Sequence, residues 1–118
     1  CAGMIMLADK LPGSTVEPLG LMKIGVRRNA FGRQKESFET ELHIPALGAK
    51  PFPAVFIRAP AIEECNGTVE VLARLDDGTI VAARQGKMLA SAFHPELTDD
   101  LRFHKYFLDM VTQKGKTR

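Results

Sequence analysis

Three residues of the sequence have the chemistry of a nucleophilic hydrolase: Cys1, His94 and Glu96. A cysteine attacks as its thiolate, and a helix N-terminus lowers its pKa. Cys1 stands directly before Ala2 and Gly3 at the start of a predicted helix, where small residues permit the sharp turn of a strand-to-helix elbow. A histidine can act as general base to a thiol, and a carboxylate can orient its imidazole. The sequence thus offers one nucleophile, one base and one orienting group.

The spacing of the second and third of these residues is informative. Only Pro95 separates His94 from Glu96, so the two side chains leave a rigid segment close together. They follow an apolar run, and active sites of α/β sheets lie at strand ends. Purely structural alternatives stay open: Cys1 can be a small core residue, and Pro95 can simply end a strand.

The other cysteine is a weaker candidate. Cys65 follows Glu63 and Glu64 in a predicted loop, and these carboxylates are expected to raise the pKa of its thiol. A zinc site would need more closely spaced ligands than Cys65, His94 and Glu96 provide, so the sequence predicts no metal.

Two histidines and three arginines are further residues with side chains capable of chemistry or binding. His43 is expected on the polar side of a strand, and His104 on the last helix. Arg28, Arg33 and Arg58 fall at strand ends or in loops, where a guanidinium could grip a carboxylate bidentately. An ordinary surface arginine is the simpler interpretation of each from the residues alone.

Composition sets the broad class. The chain has 118 residues, 45% of them hydrophobic and 25% charged, which is typical of a single globular domain. A net charge of +2 gives no support for nucleic-acid binding. No apolar run reaches the length of a membrane span, and no signal peptide is recognisable. Two cysteines make no disulfide framework, which favours free thiols in the cytoplasm.

The elements that must position these residues form a mixed α and β pattern. Helices are predicted at 2–11, ended by Pro12 and Gly13, and at 99–111, capped by Thr98. Predicted strands are 21–28, 38–44, 54–57, 69–75, 79–83 and 87–93, the fourth and fifth forming a hairpin around residues 76–78. Residues 12–20, 45–53 and 60–67 are predicted loops. An apolar stripe is expected on the last helix, formed by Leu101, Phe103, Phe107, Leu108 and Val111.

Several runs of the sequence resemble a known family. Residues 1–4 resemble the segment that starts at the nucleophile in class I glutamine amidotransferases, and residues 91–96 resemble their His-Pro-Glu signature. Longer runs are similar to the glutaminase subunit of pyridoxal 5'-phosphate synthase. These runs are 28–34, 37–39, 55–60, 81–86 and 93–100.

The resemblance implies a three-layer, flavodoxin-like α/β fold, of which this chain is the C-terminal part, with a mixed sheet and a β-hairpin. Residues 1–118 would form a single amidotransferase domain. It would lack the N-terminal part, where a Gly-Gly-Glu-Ser loop contributes to the oxyanion hole. A processed or partial chain is also suggested by its start at Cys1.

The resemblance also implies an activity. Cys1 would attack the side-chain amide of glutamine and form a glutamyl thioester, with His94 as base and Glu96 orienting it. Arg28, Ile57 and Arg58 fall where the family contacts glutamine. Ammonia would pass to a (β/α)8-barrel synthase subunit that builds pyridoxal 5'-phosphate, without a cofactor or metal in the glutaminase.

Three alternatives stay open at this point. The chain could be a glutaminase that serves another synthase, or a non-catalytic interaction module on the same fold. It could also be an N-terminal nucleophile hydrolase, in which the α-amine of Cys1 is the base. That chemistry would leave His94 and Glu96 without a role.

Overall fold

The computed structural model describes residues 4, 7–12, 17–28 and 37–112. Within these ranges the chain forms seven strands, two short 3-10 turns and one long α-helix. The strands are β1 (Ile24–Arg27), β2 (Ser37–Leu42), β3 (Phe52–Ile57), β4 (Ala61–Cys65), β5 (Glu70–Arg74), β6 (Ile80–Gln85) and β7 (Met88–Ser91). The turns span Pro45–Leu47 and Pro95–Leu97, and helix α1 spans Arg102–Thr112. No helix of this described part is long and apolar enough to cross a membrane.

Strand β6 organises a five-stranded sheet. It pairs antiparallel with β5 along one edge, and with β4 and β7 at different points of the other edge. β1 then pairs antiparallel with β4. The predicted hairpin is confirmed between β5 and β6: Gly78 has a φ of 92°, and the Asp77 carboxylate accepts the Thr79 N–H at 2.9 Å. These two features close the turn as its sequence demands.

Strands β2 and β3 form a separate antiparallel pair, in register from Ser37 with Ile57 to Leu42 with Phe52. The alternation predicted for this segment is confirmed, because residues 38, 40 and 42 are at least half-buried while residues 39 and 41 are exposed. Phe38 stacks on Phe56 with ring centroids 4.6 Å apart. β3 is therefore buried on one face and is fixed by β2.

Four phenylalanines connect β3, the end of β7 and α1. Phe93 lies 5.8 Å from Phe52, 5.9 Å from Phe56 and 5.1 Å from Phe103 between ring centroids. All four rings are buried. Burying each such ring contributes about 1.5–3 kcal/mol. The chain on either side of Phe93 is thus tied to the face of β3.

The first predicted helix is wrong in its last turn. Met4 and Leu7 are helical, but the chain has left the helix by Ala8, and Lys10 forms a parallel bridge with Gly25. The Val26 N–H donates to the Lys10 carbonyl at 3.0 Å. Pairing with β1 satisfies this backbone better than another helical turn, and it makes the sheet mixed. The rest of the predicted helix lies outside the described residues.

The predicted loop at 60–67 is also wrong, because it contains β4 between β1 and β6. Ala61 and Ile62 are buried, whereas Glu63 and Glu64 are exposed. The adjacent carboxylates of Glu63 and Glu64 interrupt the apolar alternation by which a strand is recognised in a sequence. In the fold they face cations: Glu63 pairs with Arg27 at 2.8 Å, and Glu64 lies 3.6 Å from Lys10.

The C-terminal helix begins three residues later than predicted, at Arg102. Asp99 and Asp100 precede it, and Asp100 accepts the backbone N–H of Arg102 at 3.1 Å. The predicted stripe is only partly buried. Phe103 is buried, but Leu101, Phe107 and Leu108 are 62%, 41% and 57% exposed.

Candidate active site

The His-Pro-Glu segment follows β7 after a two-residue connection. Ala92 and Phe93 are buried, and the Ala92 N–H donates to the Val81 carbonyl of β6 at 2.8 Å. Pro95 has no N–H to continue the ladder, and its fixed φ suits the first position of a helical turn. The chain accordingly forms a 3-10 turn at Pro95–Leu97, with the Leu97 N–H donating to the His94 carbonyl at 3.1 Å.

This turn brings the two chemically important side chains together. His94 Nδ1 lies 2.9 Å from Glu96 Oε2, as their spacing in sequence predicts. The hydrogen bond from His94, helped by the backbone N–H of Glu96, lowers the pKa of the Glu96 carboxyl. An ionised carboxylate can only accept, so Nδ1 is the donor. In the neutral ring Nε2 then carries the lone pair that can take a proton.

The backbone of His94 is joined to β3. Its N–H donates to the Val55 carbonyl at 2.8 Å. Val55 stands two residues before Ile57, the last residue of β3, whose side chain is 40% exposed. The structure therefore brings the His94–Glu96 pair to the strand that ends in Ile57 and is followed directly by Arg58, two of the predicted substrate-binding residues.

Arg58 has an unusual backbone. Its φ is +46°, and among the described residues it is the one non-glycine residue with a positive φ. This conformation costs an ordinary residue about 1–2 kcal/mol. Such strain persists where the surroundings impose it, often at functional sites. The exposed Arg58 side chain thus leaves β3 in a direction that an extended backbone would not give it.

The third predicted binding residue, Arg28, directly follows β1 and is exposed. Its neighbour Arg27 pairs with Ala61, the first residue of β4. Arg58 precedes Ala61 by three residues, a span of at most roughly 10 Å. Arg28 and Arg58 therefore emerge at the same end of β4.

Cys1, the predicted nucleophile, lies outside the residues that the structure describes. Cys65 is the last residue of β4, and burial raises the pKa of its thiol while nearby Arg74 opposes the rise. The predicted direction is confirmed, but the predicted cause, the two neighbouring carboxylates, is wrong. His43 is exposed, as expected, and His104 lies on helix α1, as expected, where it is also exposed. In residues 4, 7–12, 17–28 and 37–112, no group of three or more His, Cys, Asp or Glu residues could hold a metal ion.

Sequence reasoning missed one well-connected polar pair next to this site. The Arg102 guanidinium binds the Asp100 carboxylate, at 2.7 Å for the shortest contact, and also donates to the carbonyls of Lys50 and Pro51. This pairing holds the pKa of Asp100 down to about 2. Nothing in the sequence distinguishes Arg102 from an ordinary helix-start arginine.

Comparison with solved structures defines the class of the protein. A crystal structure of a glutamine amidotransferase superposes with a TM-score of 0.84 and 51% sequence identity, over 93% of this chain and 57% of that one. The fold is therefore the α/β fold of class I glutamine amidotransferases. The chain belongs to the SNO glutamine amidotransferase family, whose family model matches residues 1–113.

Curated relatives agree with this assignment. The pyridoxal 5'-phosphate synthase subunit PdxT of Pelotomaculum thermopropionicum is 62% identical over 98% of this chain. The protein of the same name from Herpetosiphon aurantiacus is 63% identical over 93% of it. The chain spans 59% and 60% of the length of these two relatives.

Proposed function

We propose that this chain carries the triad of a glutaminase, which hydrolyses glutamine to glutamate and ammonia for pyridoxal 5'-phosphate synthesis. The observation that carries the proposal is the 2.9 Å contact between His94 and Glu96, in a member of a glutamine amidotransferase family. A histidine oriented by a carboxylate is the base that a thiol nucleophile requires. Cys1 is the proposed nucleophile.

The proposed chemistry uses the two nitrogens of His94 differently. Nδ1 donates to Glu96, and Nε2 takes the proton of the Cys1 thiol. The thiolate attacks the amide carbon, and Nε2 returns the proton to the leaving ammonia as the thioester forms. Water, deprotonated by the same nitrogen, then releases glutamate. Glu96 stays ionised throughout, because its hydrogen bond to His94 favours the carboxylate.

Substrate recognition is proposed for Arg28, Ile57 and Arg58. Two exposed guanidinium groups at one end of β4 suit the α-carboxylate of an amino acid. The partly exposed Ile57 offers an apolar surface to the methylene groups of glutamine. An arginine on the carboxylate would select glutamine over a simple amide.

Delivery of ammonia to a synthase completes the proposal. Both relatives described above are named as subunits of pyridoxal 5'-phosphate synthase. We propose a cytoplasmic complex in which a (β/α)8-barrel subunit receives the ammonia. A segment N-terminal to Cys1 is proposed to supply the oxyanion donors. The relatives leave room for such a segment, because this chain spans only 59% and 60% of their length.

The test is glutamate release by the native polypeptide that contains these 118 residues, with the synthase barrel subunit present. Cys1→Ala and His94→Ala should each lower the rate by orders of magnitude. Diazo-oxo-norleucine, a glutamine analogue, should alkylate Cys1, as read by peptide mass mapping. The matched control is Cys65→Ala, which should keep both activity and labelling.

Two results would contradict this assignment. Activity that survives His94→Ala would contradict His94 as the base, and it would favour the α-amine of Cys1 if Cys1 is the first residue of the active polypeptide. Absence of both activity and labelling in the complex would favour a non-catalytic interaction module.

A further inference from the structure

Residues 94–102 begin two residues after the end of β7 at Ser91, end on the first residue of helix α1, and carry the His94–Glu96 pair. Both ends of this segment are attached to β3 or to the residues directly before it. The first anchor is the hydrogen bond from the His94 N–H to the Val55 carbonyl at 2.8 Å. The second is made by Arg102, whose Nη1 and Nη2 donate to the carbonyls of Lys50 and Pro51, each at 2.8 Å.

The two anchors are well separated. Pro51 and Val55 are four residues apart on an extended chain, or about 13 Å. Buried aromatic rings reinforce both ends, because Phe93 precedes His94 and Phe103 follows Arg102. The two rings lie 5.1 Å apart, and both contact Phe52. Residues 94–102 are therefore held at one point of β3 and at the two residues directly before it, which opposes a shift along the strand.

Asp100 orients the Arg102 guanidinium towards the carbonyls of Lys50 and Pro51. Its Oδ1 accepts Arg102 Nε at 3.0 Å and the Arg102 backbone N–H at 3.1 Å, and its Oδ2 accepts Nη2 at 2.7 Å. The two side chains are only 15% and 26% exposed. A bidentate pair of this kind fixes the plane of the guanidinium.

Hydrogen bonds between nearby residues, each 3.3 Å long, connect Asp100 with the 3-10 turn at Pro95–Leu97. The Asp100 N–H donates to Thr98 Oγ1 at 3.3 Å, and this hydroxyl donates to the Pro95 carbonyl at 3.3 Å. The Thr98 N–H reaches the same carbonyl at 3.3 Å. A displacement of Arg102 would therefore reach Pro95, which stands between His94 and Glu96.

We infer that Arg102, oriented by Asp100 and bound to the carbonyls of Lys50 and Pro51, is a positioning residue for the His94–Glu96 pair. The inference rests on the proposed function only where activity is the readout. Arg102 acts through the backbone and need not touch the substrate. Its loss should disturb the turnover step more than glutamine binding, because Arg28, Ile57 and Arg58 lie on other segments.

The experiment compares Arg102→Met with Arg74→Met in the native polypeptide bound to the synthase subunit. Arg74 is a matched control, because it also donates to a backbone carbonyl, that of Gly78 at 3.0 Å, in the β5–β6 hairpin. A displacement near 1 Å can lower a rate by about 10²-fold. We expect a loss of that order in kcat for Arg102→Met, a smaller change in KM, and near-normal values for Arg74→Met. Arg102→Lys should recover part of the rate, because one ammonium cannot span both carbonyls.

A second readout is independent of activity. The proton on His94 Nδ1 should give a downfield NMR resonance, assigned by its loss in His94→Gln. This resonance should broaden or vanish in Arg102→Met and persist in Arg74→Met. If Arg102→Met does not fold, Asp100→Asn keeps the arginine and should give the same changes in milder form.

The outcomes separate the two proposals. An unchanged resonance in folded Arg102→Met, or a rate that falls only with the folded fraction, would overturn the positioning role. A wild-type protein with the resonance but no glutaminase activity would overturn the proposed function alone, and the resonance in the variants would still decide the role of Arg102.

Discussion

The backbone N–H of His94 donates to the carbonyl of Val55 at 2.8 Å, so the imidazole is carried on the strand that ends in Ile57. The strained Arg58 follows at once. One strand thus sets the distance between the proposed base and two of the proposed substrate contacts. β3 thereby fixes the relative positions of side chains that are far apart in sequence.

The contact between His94 and Glu96 predicts the effect of removing one charge. Glu96→Gln keeps the size of the side chain but cannot stabilise an imidazolium. We expect glutamate release to fall by at least about 10²-fold, the lower end for general-base catalysis. Steady-state kinetics measure this, with Glu41→Gln, an exposed change on β2, as the control. Equal activity of the two variants would contradict the orienting role of Glu96.

The ion pair between Asp100 and Arg102 predicts how the stability of the fold changes in acid. The pKa of Asp100 is lowered from 3.8 to about 2, so the folded state binds this proton less readily than the unfolded state does. Its contribution to stability is complete above pH 3.8 and is lost as the pH falls towards 2. In thermal melts at pH 6, the wild type should have a higher melting temperature than Asp100→Asn. This difference in melting temperature should disappear as the pH falls from 3.8 towards 2. A difference that widens on acidification would contradict the assignment.

The positive φ of Arg58 allows its backbone and side chain to be tested separately. Arg58→Gly removes both the strain and the guanidinium, whereas Arg58→Ala removes only the guanidinium. Because glycine tolerates this conformation, the glycine variant should be more stable than the alanine variant by about 1 kcal/mol in urea unfolding. Both should raise the KM for glutamine. Equal stability of the two variants would show that the residue is not strained.

Gly25 predicts a steric conflict in the main sheet. A Cβ at this position would lie 2.9 Å from Cγ of Glu64 on the neighbouring strand β4. Gly25→Ala should therefore reduce the free energy of unfolding by about 1 kcal/mol, the lower limit for overpacking, because a flexible side chain can partly yield. In a Glu64→Ala background the same change should be nearly neutral. A double-mutant cycle measures the coupling, and strict additivity would contradict the clash.

The sequence predicted those features that depend on neighbouring residues. Asp77 and Gly78 specify the β5–β6 turn by themselves, and the alternation of residues 38–42 specifies the buried face of β2. The contact between His94 and Glu96 is also local, since Pro95 fixes the short turn between them. Each of these features needs only a few adjacent residues.

What could not be predicted depends on distant partners. β4 is a strand because β1 and β6, from distant parts of the chain, pair with it, and its exposed carboxylates meet Arg27 and Lys10. The pKa of Cys65 is raised by burial that only the folded sheet creates. Arg102 finds its two carbonyl acceptors 52 and 51 residues earlier in the chain. No local pattern carries this information.

The long sequence separation between Arg102 and its two carbonyl acceptors also determines when the site forms during folding. A contact across 51 or 52 residues closes a long loop, which is entropically unfavourable until much of the surrounding structure exists. The amide proton of His94 should therefore exchange with solvent only through large-scale opening, as core amides do. A chain emerging from the ribosome, or one trapped early in folding, could form the local contact between His94 and Glu96 but would not hold it against β3. The position of the His94–Glu96 pair relative to β3 is thus a property of the completed fold.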